Sequence, residues 1–402
     1  MGARVSPKLE QTLRIRGLRF AIFGFALAIL VGFNVTPATA CPIGFICPIA
    51  ASPDFSLQSL GYIAQRTSQI GLTGIQQQIW SIEDRLRRPT PTPRAPGFAE
   101  EPTEDPVIDS AFAALGYSGK PRDPQSPFVV KTPPQNLSSI AYSAWSQGSI
   151  DYENRTGTFA GANIGSNTLT EGVVAGADVT IQRSADASDA LVVGLVTGDT
   201  ISSAHNADGS TARVNGPSVG AYSAYVNGGF SIDGTLKTDF LTVDQTTAGL
   251  VTPFGLNNYS AVGNLNLKQD MGSWWYEPTA GVTYTATAWN TASKAFGMTD
   301  GTDVRLQGGA RFGSSFDQAG IHFSETLTLL AYDDVQIRGG TLAVAAGVPL
   351  APTDEGKMFG QAIGKLEAQL TQNWSANVEG EVRGRADVYG LAGRVGVTYS
   401  FN

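Results

Sequence analysis

The chain has 402 residues, of which 42% are hydrophobic, only 15% are charged and 47 are glycine, and its formal net charge is −8. Soluble domains carry about 25% charged residues and about 7% glycine, so these totals favour many short strands in an extracytoplasmic protein over a cytosolic enzyme. An isoelectric point near 4.9 offers no basic surface to nucleic acid, and two His with two Cys argue against zinc fingers, haem or another metal cofactor.

The N-terminus sets the compartment. Lys8, Arg14, Arg16 and Arg19 precede an apolar run from Phe20 to Phe33, and Ala38-Thr39-Ala40 follows before Cys41. A basic head, a short apolar middle and an A-x-A site describe a secretory signal over residues 1–40. The run is short of the about 20 residues a spanning helix needs. Cys41 and Cys47 enclose Pro-Ile-Gly-Phe-Ile. Two alternatives stay open for them, a disulfide loop in an oxidising compartment or lipidation of Cys41.

Residues 41–88 then read as this small Cys loop and an amphipathic helix. From Phe55 to Arg88, the residues Leu60, Ile63, Ile70, Ile75, Ile79, Ile82 and Leu86 recur at steps near 3.6. Gly61, Gly71 and Gly74 weaken the helix, Arg85, Arg87 and Arg88 suit its C-terminal end, and Pro89 stops it. Such a helix serves either as a spacer or for self-association or partner binding through residues 57–88. Residues 89–137 are a Pro-rich linker, broken by Asp105–Tyr117, which supports at most a short luminal helix.

From residue 138 to 402 the period is two. Gln361, Lys365, Glu367 and Gln369 alternate with Ala362, Leu366, Ala368 and Leu370, and Glu379, Glu381, Arg383 and Arg385 alternate with Gly380, Val382, Gly384 and Ala386. Strands are expected near 138–150, 171–183, 189–201, 211–226, 229–242, 256–269, 273–289, 302–315, 319–332, 359–371, 374–386 and 390–401. Their length suits a tilted crossing of a membrane. Connections after the second, fourth, sixth, eighth and tenth strands are short, and those after the first, fifth, seventh and ninth are longer. Outer-membrane barrels show this asymmetry between periplasmic turns and extracellular loops. Trp274, Trp275 and Trp374 sit beside the short turns, where an interfacial girdle belongs. The expected fold is an all-β, twelve-stranded antiparallel transmembrane barrel behind a short helical and Pro-rich arm. Its place is the outer membrane of a Gram-negative bacterium.

With its secretory signal, its Pro-rich linker, the opening AYSAWSQGSIDYENR and the closing AGRVGVTYSFN, the chain resembles the autotransporters of type V secretion. The resemblance implies a monomeric barrel with an α-helix through its lumen, which delivers or anchors its own N-terminal passenger. It also implies that the outer-membrane assembly machinery reads the last strand, through Val397, Tyr399 and Phe401. Asn402 follows that terminal aromatic, and the passenger lacks the family's β-helix repeats.

Parity along the strands points Lys365, Glu367, Glu379, Glu381, Arg383, Arg385 and Arg394 inward, either as a network holding a luminal segment or as the lining of a wet pore. No catalytic, metal or cofactor set emerges. His322 and His205 lack metal-ligand neighbours, G-x-S-x-G is absent, and Asp333-Asp334 needs a His at the same rim to suggest a hydrolase. The leading reading is a non-enzymatic autotransporter barrel displaying its own arm at the cell surface. The alternative is a porin-like or structural outer-membrane protein with a periplasmic arm.

Overall fold

The computed structural model describes residues 53–87, 139–159, 162–163, 165–182, 189–339 and 356–401. Helix α1 spans Pro53–Leu86. The strands are β1 (Ser139–Arg155), β2 (Ser166–Gln182), β3 (Asp189–Asn206), β4 (Thr211–Asn227), β5 (Phe230–Thr247) and β6 (Leu250–Leu267). They continue with β7 (Trp274–Trp289), β8 (Gly301–Gln318), β9 (Ile321–Gly339), β10 (Phe359–Gln369), β11 (Trp374–Arg385) and β12 (Val388–Phe401). A five-residue helix α2, Thr291–Ala295, lies between β7 and β8. Each strand pairs antiparallel with its sequence neighbours, and β1 pairs with β12 from Tyr142↔Phe401 to Arg155↔Val388, which closes the barrel. Closure leaves no unpaired edge, the condition for strands in lipid.

Side-chain alternation decides which face is which. On β5, Ser231, Asp233, Thr235, Lys237 and Asp239 are buried toward the lumen, while Phe230, Ile232, Leu236 and Phe240 are exposed outside. Two aromatic belts bound this outer surface. The lower one includes Trp274, Trp374, Tyr399 and Phe401, and the upper one includes Phe240, Tyr259 and Tyr284. Ten residues separate Trp274 from Tyr284 on β7. At about 3.4 Å per residue and a tilt near 40°, that is roughly 26 Å of height, the thickness of an apolar band.

Ser139, Phe401 and the turns at 228–229, 268–273, 319–320 and 370–373 share the lower mouth, and the strand ends Arg155, Ser166, Gly339 and Phe359 share the upper with the connection 290–300. All twelve expected strands are present. The long connection expected after the fifth strand is absent, because β5 and β6 run on to a two-residue turn, Ala248-Gly249. Above the upper belt their polarity inverts: Leu241, Val243, Phe254 and Leu256 are buried inside, and Thr242 and Asp244 are exposed outside. The two-residue period continues in the opposite phase, as befits strands that have left lipid for water.

α1 also differs in its surroundings from a spacer or partner-binding helix. From Leu60 onward it is enclosed by the barrel, with Leu60, Ile63, Ile75, Ile79 and Trp80 at 1% exposure or less. Its backbone lies against β1–β6. A luminal helix at 105–117, the signal segment and Cys41 with Cys47 lie outside the described residues.

Candidate functional site: the helix-filled lumen

At the upper mouth, Leu60, Ile63 and Ala64 pack into a cluster with Ala204, Val214, Leu241, Phe254, Trp289 and Met298. Further down, Ile75, Ile79 and Ile82 pack on Trp145, Val174, Val192, Val196 and Tyr222. Burying each of these aliphatic side chains contributes about 1.5–3 kcal/mol, so apolar contact seats one face of α1 on one wall. Trp145 Nε1 donates to the Tyr222 hydroxyl at 2.8 Å, which donates to Asp178 at 2.8 Å, so the cluster's polar atoms are satisfied.

The polar face of α1 is buried as well, and hydrogen bonds answer it. Asn258 donates to the Ala64 carbonyl at 3.0 Å, Gln76 donates to Asp233 at 3.1 Å, and Ser68 donates to Asp239, which also pairs with Lys237. Wall residues with long side chains cross from the opposite side. Lys365 donates to Ser81 Oγ and lies 3.6 Å from Glu367 and 3.9 Å from Glu379.

Higher up, Arg66 of α1 pairs with Glu153 at 3.1 Å, and Tyr62 donates to the same carboxylate. Arg383 joins Asp151 at 2.6 Å, Glu153 at 3.1 Å and Glu381 at 3.1 Å. Arg394 joins Glu381 and, at 3.6 Å, Glu379. Thus Lys365 touches the helix directly, while Arg383 reaches it through Glu153 and Arg66.

Arg385 stands apart. Its guanidinium bonds to Asp387 of the β11–β12 turn and lies 4.6 Å from the Phe359 ring centroid.

The lower mouth holds a second cluster, which strand parity at the C-terminal end did not reach. Arg311 bridges Glu277 and Asp84 of α1, each at 2.5 Å, with its guanidinium 4.8 Å from the Trp80 ring. Arg87 pairs with Glu277 at 2.5 Å, and Ser231 donates to Glu83 at 2.9 Å. Trp275 belongs here rather than to the girdle: it faces the lumen, with Lys268 4.3 Å from its ring.

A barrel whose lumen is occupied by a helix from its own N-terminal side, with both barrel ends at one mouth, is the geometry of a translocator unit. The model of the autotransporter β-domain family matches residues 144–381. The chain belongs to the autotransporter family. Its barrel is similar in fold to the β domain of the Bordetella autotransporter BrkA, with 16% identity, a TM-score of 0.51, and coverage of 64% of this chain and 99% of that one. It is also similar to the transport unit of the autotransporter AIDA-I from Escherichia coli, with 16% identity, a TM-score of 0.52, and coverage of 69% and 94%. No curated protein matches the chain.

An autotransporter barrel sits in the Gram-negative outer membrane as a monomer in contact with lipid, and this translocator family is not enzymatic. The lower mouth is therefore periplasmic and the upper extracellular. Val397 and Phe401 point outward into the periplasmic aromatic belt, where Tyr399 lies 4.9 Å from Trp374 and 4.7 Å from Phe401. Among the described residues no group of His, Cys, Asp and Glu could hold a metal ion. His322 bonds to Asp317 beside a periplasmic turn, while Asp334 forms a two-point ion pair with Arg305 toward the other mouth, so they form no joint site.

Proposed function

We propose that this autotransporter barrel carries its own N-terminal segment, up to Pro53, to the cell surface and then retains α1 as a plug. The observation that supports this reading is the direction of α1. Leu60 and Ile63 lie with the extracellular cluster, while Asp84 and Arg87 lie with Arg311 and Glu277 at the periplasmic mouth. The chain therefore enters α1 from outside and leaves it inside. Residues 88–138 begin at Arg87 and end at Ser139, both at the periplasmic mouth, so on this reading that Pro-rich stretch stays in the periplasm. The lumen-facing charges, with Arg66, Asp84 and Arg87, hold the plug, and a porin-like pore is disfavoured because the helix fills the channel.

The reading is tested in a Cys41/Cys47-free background with a membrane-impermeant thiol reagent. Ser52→Cys is expected to label on intact cells, and Thr103→Cys only after lysis. The opposite pattern removes the proposal.

A further inference from the structure

One side chain breaks the apolar outer wall of the barrel. On β9, Thr328 and Leu330 are buried on the luminal side with Arg311, so Phe323, Glu325, Leu327 and Leu329 face outward. Phe316 and Phe323 stack at 5.3 Å beside the 319–320 turn and extend the lower aromatic belt. Glu325 stands two residues above Phe323, about 5 Å into the apolar band at the tilt of a barrel strand. The other outward carboxylates of the strands, Glu171, Asp199, Asp244 and Asp333, lie near or above the upper belt. Among the described residues, Glu325 is thus the one acidic or basic side chain that faces the lower half of the band.

Its protein neighbours satisfy only part of it. Ser314 of β8, directly across the ladder, donates its hydroxyl to Glu325 Oε1 at 2.6 Å. Among the described residues no Lys, Arg or His pairs with the carboxylate. On the other side stands Leu366 of β10, and above it Leu329 and Phe312 are 44% and 37% exposed. A carboxylate on a lipid face costs free energy, less toward the interface than at the midplane, and an ionisable group kept in such a place points to a partner. An ionised carboxylate only accepts hydrogen bonds, so the partner is a cationic donor. It must also be apolar where it lies along Leu327, Leu329 and Phe312. A phospholipid with a charged amine has both properties.

We propose that Glu325 and Ser314 form a headgroup site for a phospholipid that carries a primary ammonium, of the ethanolamine type, in the periplasmic leaflet. The ammonium donates to the Glu325 carboxylate, and the acyl chains run up over Leu327, Leu329 and Phe312. The bound lipid pins the β8–β9 hairpin at a set depth. The inner face of that hairpin carries Arg311, which grips Asp84 of α1, so the site steadies the wall that holds the periplasmic end of the helix.

The test places the full-length protein in nanodiscs of phosphatidylethanolamine, phosphatidylcholine and phosphatidylglycerol in equal parts, and native mass spectrometry counts the lipids it retains. Choline carries the same charge as ethanolamine without an N–H donor. The wild type is expected to retain the ethanolamine lipid over the choline lipid on the order of fivefold, as for one ion pair near an interface. Glu325→Gln keeps the shape of the side chain, its fold is checked by the heat-dependent gel shift, and it is expected to retain the two equally. No preference in the wild type, a preference that survives in Glu325→Gln, or a preference for phosphatidylglycerol overturns the site. In cells, a benzophenone amino acid at position 327 is expected to give adducts with phospholipid alone. An adduct with a second copy or another protein that Glu325→Gln abolishes assigns the carboxylate to that protein and overturns the lipid as its occupant.

Discussion

Gly71 of α1 lies where Lys237 crosses the lumen: a Cβ on residue 71 would stand 2.9 Å from the Lys237 Nζ. That ammonium is tied to Asp239 and reaches the Ser68 carbonyl at 3.4 Å. It cannot withdraw without leaving a carboxylate unpaired inside the barrel. The glycine that weakens the helix locally is thus the one that admits the ion pair. Gly71→Leu is expected to destabilise the seated helix by about 1–3 kcal/mol through overpacking. Gly71→Ala gains about 1 kcal/mol of helix propensity and offsets most of its smaller clash. Thermal unfolding of the purified barrel, followed by its gel shift, checks the order: wild type near Gly71→Ala, with Gly71→Leu below both. Equal midpoints for all three would show that Lys237 does not press on residue 71.

The periplasmic cluster makes a sharper demand. Arg311 is shared by Asp84 and Glu277, and all three charges are largely withdrawn from water. Removing one member of such a buried set typically costs about 3–5 kcal/mol, because the partners keep an uncompensated charge. Arg311→Met is expected to loosen the C-terminal end of α1 and to raise the conductance of the barrel in planar bilayers. Adding Asp84→Asn to the same chain should restore much of the stability, since Glu277 keeps Arg87 as its partner and Asp84 no longer carries a charge. A double variant as unstable as Arg311→Met alone would mean that packing on Trp80, and not charge, holds this end.

The strand pattern was plainest in the last three strands, where every inward charge from Lys365 to Arg394 could be placed by parity. The upper ends of β5 and β6 are not legible from a rule that places apolar residues outside. Leu241 and Val243 break that rule once the strands rise above the lipid. α1 showed its helical period but not its enclosure. Its apolar Ile75 and Ile79 meet one wall and its Gln76 and Gln78 meet polar wall groups, so an enclosed helix carries the same two-faced pattern as a surface one. Lys237, Glu277 and Arg311 also had the inward parity of their strands. What the sequence lacked was the register that brings Arg311 to Asp84 across the lumen.

At the extracellular mouth, the β7–β8 connection carries a pH-sensitive brace. Asp300 accepts from Lys294 at 2.6 Å and from the Trp289 backbone N–H at 2.8 Å. The hydrogen bond from Lys294 is the main cause that holds the Asp300 carboxyl below its ordinary value. A carboxyl with a depressed folded pKa contributes stability above its unfolded value, about 3.9, and loses it as pH falls through the folded one. Acidification below about pH 4 is therefore expected to loosen 290–300 while the barrel stays closed. Cleavage of this loop by an acid-active protease should rise with falling pH in the wild type. Asp300→Asn should be cut at the same rate throughout. A pH response that persists in Asp300→Asn would assign it to another group.

The C-terminal strand offers the last test, of the proposed role of Val397, Tyr399 and Phe401 in assembly. In the closed barrel Phe401 is 49% exposed and touches Tyr399 at the periplasmic belt, so it contributes little packing to the finished fold. If the assembly machinery reads it, Phe401→Ser should lower the amount of barrel in the outer membrane on the order of tenfold. Refolding of the same variant from urea into detergent should stay close to wild type, with a stability change within about 1 kcal/mol for a half-exposed side chain. Tyr399→Ser should hurt both readouts, because Tyr399 also packs on Trp374 at 4.9 Å. A Phe401→Ser barrel that reaches the membrane at wild-type level would deny the residue a signalling role. One that fails equally in detergent would make its role structural.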